Sequence, residues 1–224
     1  MRKTPPQMWM PALLGLLLCL LLPVTAFAAE ELPDSDEFVQ SGIDLDTDYM
    51  TVMQELCMTG DTEMGKEVER QRNLKIDLLD MQEAKISFQN LFLISKLIAS
   101  EAGSSWLPLE WKMAVGEVLL NRVVSPEFPN TIEACVYAPG QYFNVTTGAF
   151  QRLLPDRDSV IAATRLLYGE RVLCDSSVVF QSNFRQGEVF LVLHDDYLGD
   201  TYLCKSAYPE LYTQSLYPFD GRKE

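Results

Sequence analysis

Apolar residues in the middle of the chain recur with the period of a helix, every three to four positions. Gly103 ends the first of these stretches and Pro108 opens the second, as is typical of helix boundaries. Thr131, after Asn130, is a capping residue that can start a further short helix. The pattern predicts these helices: Phe88 to Ala102, Leu109 to Val123, a short one after Thr131, and Asp156 to Tyr168.

The spacing changes to that of β-strands in the last part of the chain. Three runs rich in β-branched and apolar residues are separated by Arg185-Gln186-Gly187 and Leu198-Gly199-Asp200. These runs are SSVVFQSN, GEVFLVLH and DTYLCKS. Because helices come first and strands follow, we predict an α+β fold with a small antiparallel sheet.

Residues 49–86 form a separate helical segment of unknown role. Two stretches with helical spacing are interrupted at Thr59-Gly60-Asp61, which predicts two helices joined by a short turn. Leu74, Leu78 and Met81 make a narrow apolar stripe. This stripe should pack either on the domain that follows or on a partner protein.

The first 28 residues have the three parts of a secretory signal. Arg2 and Lys3 precede an apolar run from Ala12 to Val24, and Ala26-Phe27-Ala28 supplies a cleavage site. The run is shorter than the roughly 20 residues that cross a bilayer. We therefore expect cleavage after Ala28 and a secreted mature chain without a transmembrane span.

The composition is strongly acidic, with 32 Asp and Glu against 18 Lys and Arg among 224 residues. Removal of the signal, which has two basic residues and no acid, brings the net charge to about −16. Such a charge argues against nucleic acid as a partner. Residues 29–48 carry eight acids and no Lys or Arg, so we expect a disordered linker there.

Cysteine and histidine limit the chemistry that the chain can perform. A disulfide between Cys174 and Cys204 and a fully reduced set of thiols both remain open. His194 is the only histidine, which excludes a zinc hydrolase with two or three histidine ligands. A serine or cysteine nucleophile served by His194, such as Cys135 or Cys174, is a weaker alternative. We predict no metal and no cofactor.

Glu101 is an acid within the apolar stripe of the helix predicted at 88–102. On a helical wheel Ile94, Leu97 and Ile98 lie within about 60° of it. Burial and the negative end of the helix dipole would both raise the pKa of its carboxyl. A carboxyl that stays protonated near neutral pH suits a general acid for glycosidic cleavage. A frayed helix end that leaves Glu101 in water is the competing interpretation.

Five short motifs occur in order over some fifty residues around this acid. They are Ser100-Glu101-Ala102, the helix stretch Val115-Gly116, Leu120-Asn121-Arg122-Val123, Phe128-Pro129-Asn130-Thr131-Ile132 and Gly140-Gln141-Tyr142. These motifs and their order resemble those of the spore-cortex-lytic cell wall hydrolases of the SleB/CwlJ type. The resemblance implies a catalytic domain at 87–207, with a lysozyme-like helical half, and a C-terminal tail at 208–224.

The resemblance also implies peptidoglycan glycan strands as the substrate and Glu101 as the catalytic acid. Related enzymes resemble lytic transglycosylases, in which one carboxyl suffices because the 6-hydroxyl of the sugar attacks C1. Simple hydrolysis would need a second acid, for which Glu117 is the nearest candidate, although a solvated helix position fits it better. The alternative function is a catalytically inactive peptidoglycan-binding or regulatory module. The location implied is the cell wall or the spore cortex.

Other polar residues are candidates for substrate binding. Gln141 and Tyr142 lie in a polar loop and could bind the glycan by hydrogen bonding and ring stacking, or could pack the loop. Asn183, at the end of a predicted strand, is a similar candidate. Asn121 and Arg122 are expected to brace the helix end.

One part of the sheet departs from the related sequences. They often carry Gly-Asn-His followed by an aromatic pair, whereas this chain has Gly199-Asp200-Thr201-Tyr202. His194 is too far along the strand to replace that histidine.

Overall fold

The computed structural model describes residues 46–212. The predicted signal, residues 29–45 of the acidic segment and residues 213–224 lie outside this range. In chain order the helices are α1 Tyr49–Thr59, α2 Thr62–Leu78, α3 Phe88–Ala102, α4 Leu109–Val124, α5 Ile132–Val136, α6 Phe143–Thr146, α7 Ala149–Arg152 and α8 Arg157–Leu167. The strands are β1 Val178–Ser182, β2 Val189–Asp195 and β3 Gly199–Lys205, followed by a 3-10 helix at Pro209–Tyr212. The predicted α+β fold is confirmed.

Helices α3, α4 and α8 pack against one another and form the larger core. Ile98, Leu119 and Leu166 are completely buried in it. The helices approach closely at Gly116 of α4, where a Cβ atom would lie 2.5 Å from Leu166 Cδ1 and 2.9 Å from Ile98 Cδ1. Only glycine therefore fits at this contact without displacing its neighbours.

The three strands form one antiparallel sheet in the order β1-β3-β2. Strand β3 is central, and Leu193 of β2 lies opposite Thr201 of β3. Val178 and Leu203 of the sheet pack against Ala114 and Val118 of α4. Helix α4 is therefore buried between the other helices and the sheet, which explains why every residue from Trp111 to Val123 is buried.

Helices α1 and α2 pack on the helical core. Met53 and Cys57 of α1 are fully buried. The Gln54 side chain donates a hydrogen bond to Thr164 Oγ1 of α8 at 3.0 Å, and Glu69 accepts the Phe88 backbone N–H at 2.8 Å. Of the predicted stripe, Leu74 and Leu78 pack against the core, whereas Met81 is exposed.

The local predictions agree closely with these elements. From Phe88 onward the bounds of the predicted helices differ by one residue or less, and β2 and β3 each extend one residue beyond the predicted run. Helix α2 ends at Leu78, earlier than the helical spacing of residues 49–86 predicts. Two short helices, α6 and α7, were not predicted because the stretch that contains them is polar and has no clear period. Residues 209–212, which we assigned to the tail, continue the fold, since Tyr212 is buried with its hydroxyl 2.6 Å from Ser125 Oγ.

All four cysteines of the described region are free thiols, so the suggested disulfide between Cys174 and Cys204 is not formed. Cys204 is buried in β3, whereas Cys174 is exposed on a loop with a positive φ of 53°. No helix within residues 46–212 combines the length and the hydrophobicity that crossing a bilayer requires.

Candidate active site

Glu101 lies in the last turn of α3 and faces a small cleft between α3, α4 and the sheet. The cleft has a volume of about 110 Å³. Its lining residues are Glu101, Trp111, Val115, Gln181, Ser182, Asn183 and Thr201. The lining combines one carboxyl with amide and hydroxyl groups on an apolar wall, which is typical of a small-molecule or saccharide site.

The expectation that Glu101 is buried is wrong, because its side chain is exposed. Ile94, Leu97 and Ile98 on the same helical face are completely buried. Glu101 emerges because α3 ends one residue later, at Ala102, so no further turn of helix covers it. The helix does not fray before Glu101, and the acid is therefore presented from an ordered turn.

The pKa of Glu101 is nevertheless raised above its ordinary value. Desolvation is the main cause, and it is opposed by the charge of Arg122 and by hydrogen bonding from the Ser100 and Gln181 side chains. Water contact and desolvation coexist because the carboxyl lies in a concave site, where protein atoms replace much of the surrounding solvent. A raised pKa keeps the carboxyl protonated at a higher pH, as proton donation requires.

Arg122 is a buried cation behind the acid. Its Nε donates a 2.6 Å hydrogen bond to the Val179 carbonyl, and its guanidinium carbon lies 4.9 Å from the centre of the Tyr142 ring. Within residues 46–212 no carboxylate forms a salt bridge with it, although its charge acts on Glu101. The Asn121 side chain donates to the carbonyls of Asp175 and Val178. Both residues therefore brace β1 against α4, as expected for the helix end.

Only one of the predicted substrate-binding residues reaches the cleft. Asn183 lines it, whereas Gln141 does not. Tyr142 is only 3% exposed, and burial raises the pKa of its hydroxyl to about 12. A ring that is covered in this way has no free face for a sugar, so the structure gives Tyr142 a packing role beside Arg122.

Glu117 is neither a solvated helix residue nor a second cleft acid. It is completely buried, and its carboxylate accepts the backbone N–H groups of Val172, Leu173 and Cys174 at 2.7, 2.9 and 3.0 Å. These bonds hold the loop before β1. A carboxylate so occupied cannot activate a water molecule in the cleft.

Lys112 fixes the end of the helix that carries Glu101. This lysine is completely buried, and its Nζ donates a hydrogen bond to the Ala102 carbonyl at 2.8 Å. It also lies 3.6 Å from Asp156 Oδ1. A cation at the C-terminus of a helix is favoured by the helix dipole, so Lys112 stabilises the turn from which Glu101 projects.

Three residues of the cleft lining, Gln181, Ser182 and Thr201, were not predicted as site residues. Thr201 occupies the position where the related sequences carry histidine, which was the one available signal. Trp111 also lines the cleft, although only 6% of it is exposed. Gln181 reaches the site because β1 lies beside Arg122, a contact that no local pattern encodes.

His194 lies outside this cleft lining and is exposed on β2. Its Nδ1 is 2.7 Å from Asp200 Oδ1 on the neighbouring strand, and this carboxylate is the main cause of a raised pKa at His194. In the part of the chain that the structure describes, no group of three His, Cys, Asp or Glu side chains could hold a metal ion.

Comparison with known protein families finds a match for the segment that contains α4 and β1. Residues 108–189 match the cell wall hydrolase family. Glu101 and Thr201 lie on either side of the matched segment. Neither a curated protein nor a solved structure gives a significant match. Residues 108–189 are therefore similar to a cell wall hydrolase, and this match supports a hydrolase that acts on peptidoglycan.

Proposed function

We propose that the chain cleaves the glycan strand of peptidoglycan, between MurNAc and GlcNAc, as a lytic transglycosylase. Glu101 is the single general acid and base of this reaction. The observation that carries the proposal is a carboxyl of raised pKa in a cleft whose described lining has no second acid. The family match supports action on peptidoglycan, and the cleft chemistry supports this particular reaction.

The reaction needs two proton transfers at Glu101. The protonated carboxyl first gives its proton to the glycosidic oxygen, and the bond from that oxygen to C1 of the MurNAc unit breaks. The 6-hydroxyl of the same MurNAc unit then forms a bond to C1 and returns its proton to Glu101. The products are a 1,6-anhydro end and a free hydroxyl on the departing sugar, with no water consumed.

The surroundings of Glu101 suit an acid that must also act as a base. Desolvation favours the protonated form before cleavage. The charge of Arg122 and the Gln181 amide favour the carboxylate that forms when the proton is given up. Opposing influences of this kind keep the two protonation states close in free energy, so the proton can move in both directions.

Hydrolysis through two acids fits the site less well. An inverting glycosidase places two carboxyl groups about 6.5–9.5 Å apart, and a retaining one about 5–5.5 Å apart. Glu117, the candidate suggested by the sequence, is committed to three backbone N–H groups. The single-acid mechanism is therefore the better match.

The second candidate function is an inactive peptidoglycan-binding or regulatory module. It is favoured by one observation, the presence of Thr201 in the cleft where related sequences have histidine. Either function would place the protein at the cell wall or the spore cortex.

The test is analysis of the material that the purified protein releases from sacculi. We expect muropeptides with anhydromuramic ends, identified by mass spectrometry because they are one water lighter than reducing ends. Glu101→Gln should lower the release at least about a hundredfold, since an amide cannot donate the proton. Glu110→Gln, a change at an exposed acid outside the cleft lining, is the matched control and should remain active.

Each other outcome has a definite meaning. Reducing ends would require a second acid and would end the transglycosylase proposal. No release from folded protein on several wall types would leave the binding module as the function.

A further inference from the structure

Two exposed aromatic rings meet at the edge of the sheet that carries the cleft. Trp106 is 59% exposed and Tyr197 is 88% exposed. Their ring centres are 6.2 Å apart, and the rings cross at 64°. Trp106 follows the helix of Glu101, and Tyr197 lies in the turn between β2 and β3.

One carboxylate holds both parts of this pair. Asp195 Oδ2 accepts the Trp106 indole N–H at 3.0 Å. Asp195 Oδ1 accepts the backbone N–H groups of Tyr197 and Leu198 at 3.0 and 2.9 Å. The polar group of the indole is thereby satisfied by the protein, and the rings are left with free apolar faces in water.

The strand register places this pair on the cleft side of the sheet. Leu193 lies opposite Thr201, which lines the cleft, so these two side chains share one face. Leu193 packs against the cluster of Ala102, Leu107, Trp111 and Val115. Asp195 lies two residues further along β2 and therefore on the same face, about 7 Å beyond Leu193. This step is comparable with the length of a sugar ring.

We propose that Trp106 and Tyr197 form a saccharide subsite that extends the Glu101 cleft along the glycan strand. The proposal rests on the proposed function, since it supplies a second binding position for the same substrate. Exposed aromatic faces beside a polar cleft stack on the apolar C–H face of a sugar, and such exposed apolar surface marks binding sites.

The charges around the pair select a neutral sugar. Asp195 and Asp196 precede Tyr197 in the turn, and Asp200 follows it. His194, the one cation among them when protonated, is paired with Asp200. An anionic group would be repelled here. The subsite therefore accommodates the N-acetylglucosamine unit, which has no charge, in preference to the muramoyl unit, which bears the acidic peptide.

The experiment measures binding separately from cleavage. The dissociation constant of an N-acetylglucosamine hexamer is determined by calorimetry with the Glu101→Gln protein, so that no turnover occurs. Trp106→Ala should raise the dissociation constant about tenfold, and Tyr197→Ala by several fold, as expected for the loss of one stacked ring. Tyr208→Ala is the control, because Tyr208 is about as exposed as Trp106 but follows the opposite end of β3.

A further variant distinguishes stacking from bracing of the turn. Trp106→Phe keeps an aromatic face and loses the hydrogen bond to Asp195, so it should bind within about threefold of the parent. Trp106 is exposed, and the melting temperature of each variant checks that the fold is intact.

Three results would overturn the subsite: no measurable binding of the hexamer, a Trp106→Ala protein that binds as well as its parent, or a Trp106→Phe protein as weak as Trp106→Ala. The proposed function fails on a different result, the absence of anhydro products from the wild-type protein. If the hexamer binds through Trp106 but the wild-type protein cleaves no glycan, the subsite stands and the proposed enzymatic function fails. If the wild-type protein cleaves glycan but Trp106→Ala binds the hexamer as well as its parent, the function stands and the subsite fails.

Discussion

Glu101 combines contact with water and a raised pKa, two properties that a proton donor needs. Desolvation in the concave cleft raises the pKa, whereas Arg122, Ser100 and Gln181 lower it. Only the protonated carboxyl can protonate the leaving oxygen. Activity should therefore persist above the ordinary pKa of glutamic acid, about 4.3, and decline as the pH rises through the raised value.

Gln181→Leu tests which groups set this limit. The change removes a hydrogen bond that favours the carboxylate and adds apolar surface, so both effects raise the pKa of Glu101. The alkaline limb of kcat/KM should move to higher pH. Ser182→Ala is the matched control, since Ser182 lines the same cleft but is not among the groups that act on the pKa of Glu101. A limb that stays in place, or moves to lower pH, would show that another group controls the profile.

Arg122 is less suitable for such a test because it has a structural role as well. Its Nε holds the Val179 carbonyl of β1. Removing it would disturb the strand that carries Gln181, and a pH effect could not be assigned to charge alone.

At the scale of elements, the site depends on how α3 ends. The Ala102 carbonyl, one residue after the acid, would lack an intrahelical partner. Lys112 of α4 satisfies it from a fully buried position. The helix end and the next helix are thereby joined where the acid is presented.

Lys112→Met should lower both stability and turnover. The loss of the hydrogen bond leaves a buried carbonyl without a partner, which costs about 1–3 kcal/mol of the free energy of unfolding. The free energy is measured by urea unfolding, and kcat should fall because Glu101 is no longer held in place.

Lys96→Met is the matched control for this prediction. Lys96 is also a nearly buried lysine, and its Nζ donates to the Gln151 carbonyl at 3.2 Å. Its partner is the Gln151 carbonyl rather than a carbonyl at the end of α3, so its loss should affect stability and leave kcat unchanged. Equal values of kcat for the two variants would show that Lys112 does not position the acid.

At the scale of the whole molecule, the N-terminal helices and the site-bearing half share one core. Met53 and Cys57 of α1 are buried against α3 and α8, and Phe88 at the start of α3 packs in the same cluster. We therefore expect α1 and α2 to unfold together with the helices around the cleft, in one transition.

Met53→Ala tests this cooperativity. Truncation of a fully buried methionine should reduce the free energy of unfolding by about 2–5 kcal/mol, and the single transition followed by circular dichroism should move to lower urea. Met64→Ala, a change at a methionine that is 51% exposed on α2, should have little effect. Two separate transitions, with only one of them moved by Met53→Ala, would mean that α1 and α2 form an independent unit.

The sequence alone was sufficient for most of the elements and for naming Glu101 as the candidate acid. Gly103, Pro108 and Thr131 act on the residues beside them, and helical and strand periods are local patterns, so the predicted bounds agree closely with the structure. The motifs around Glu101 also indicated the family that residues 108–189 match. These inferences need no knowledge of which distant residues meet.

Only the tertiary structure decided the surroundings of Glu101. A helical wheel places the acid with buried neighbours, yet the end of α3 leaves it exposed in a cleft that β1 and β3 complete. The commitment of Glu117 to a distant loop and the burial of Tyr142 depend likewise on contacts between remote segments. Exposure, pKa and hydrogen bonding are set by which atoms lie nearby in space, and a pattern along the chain does not contain that information.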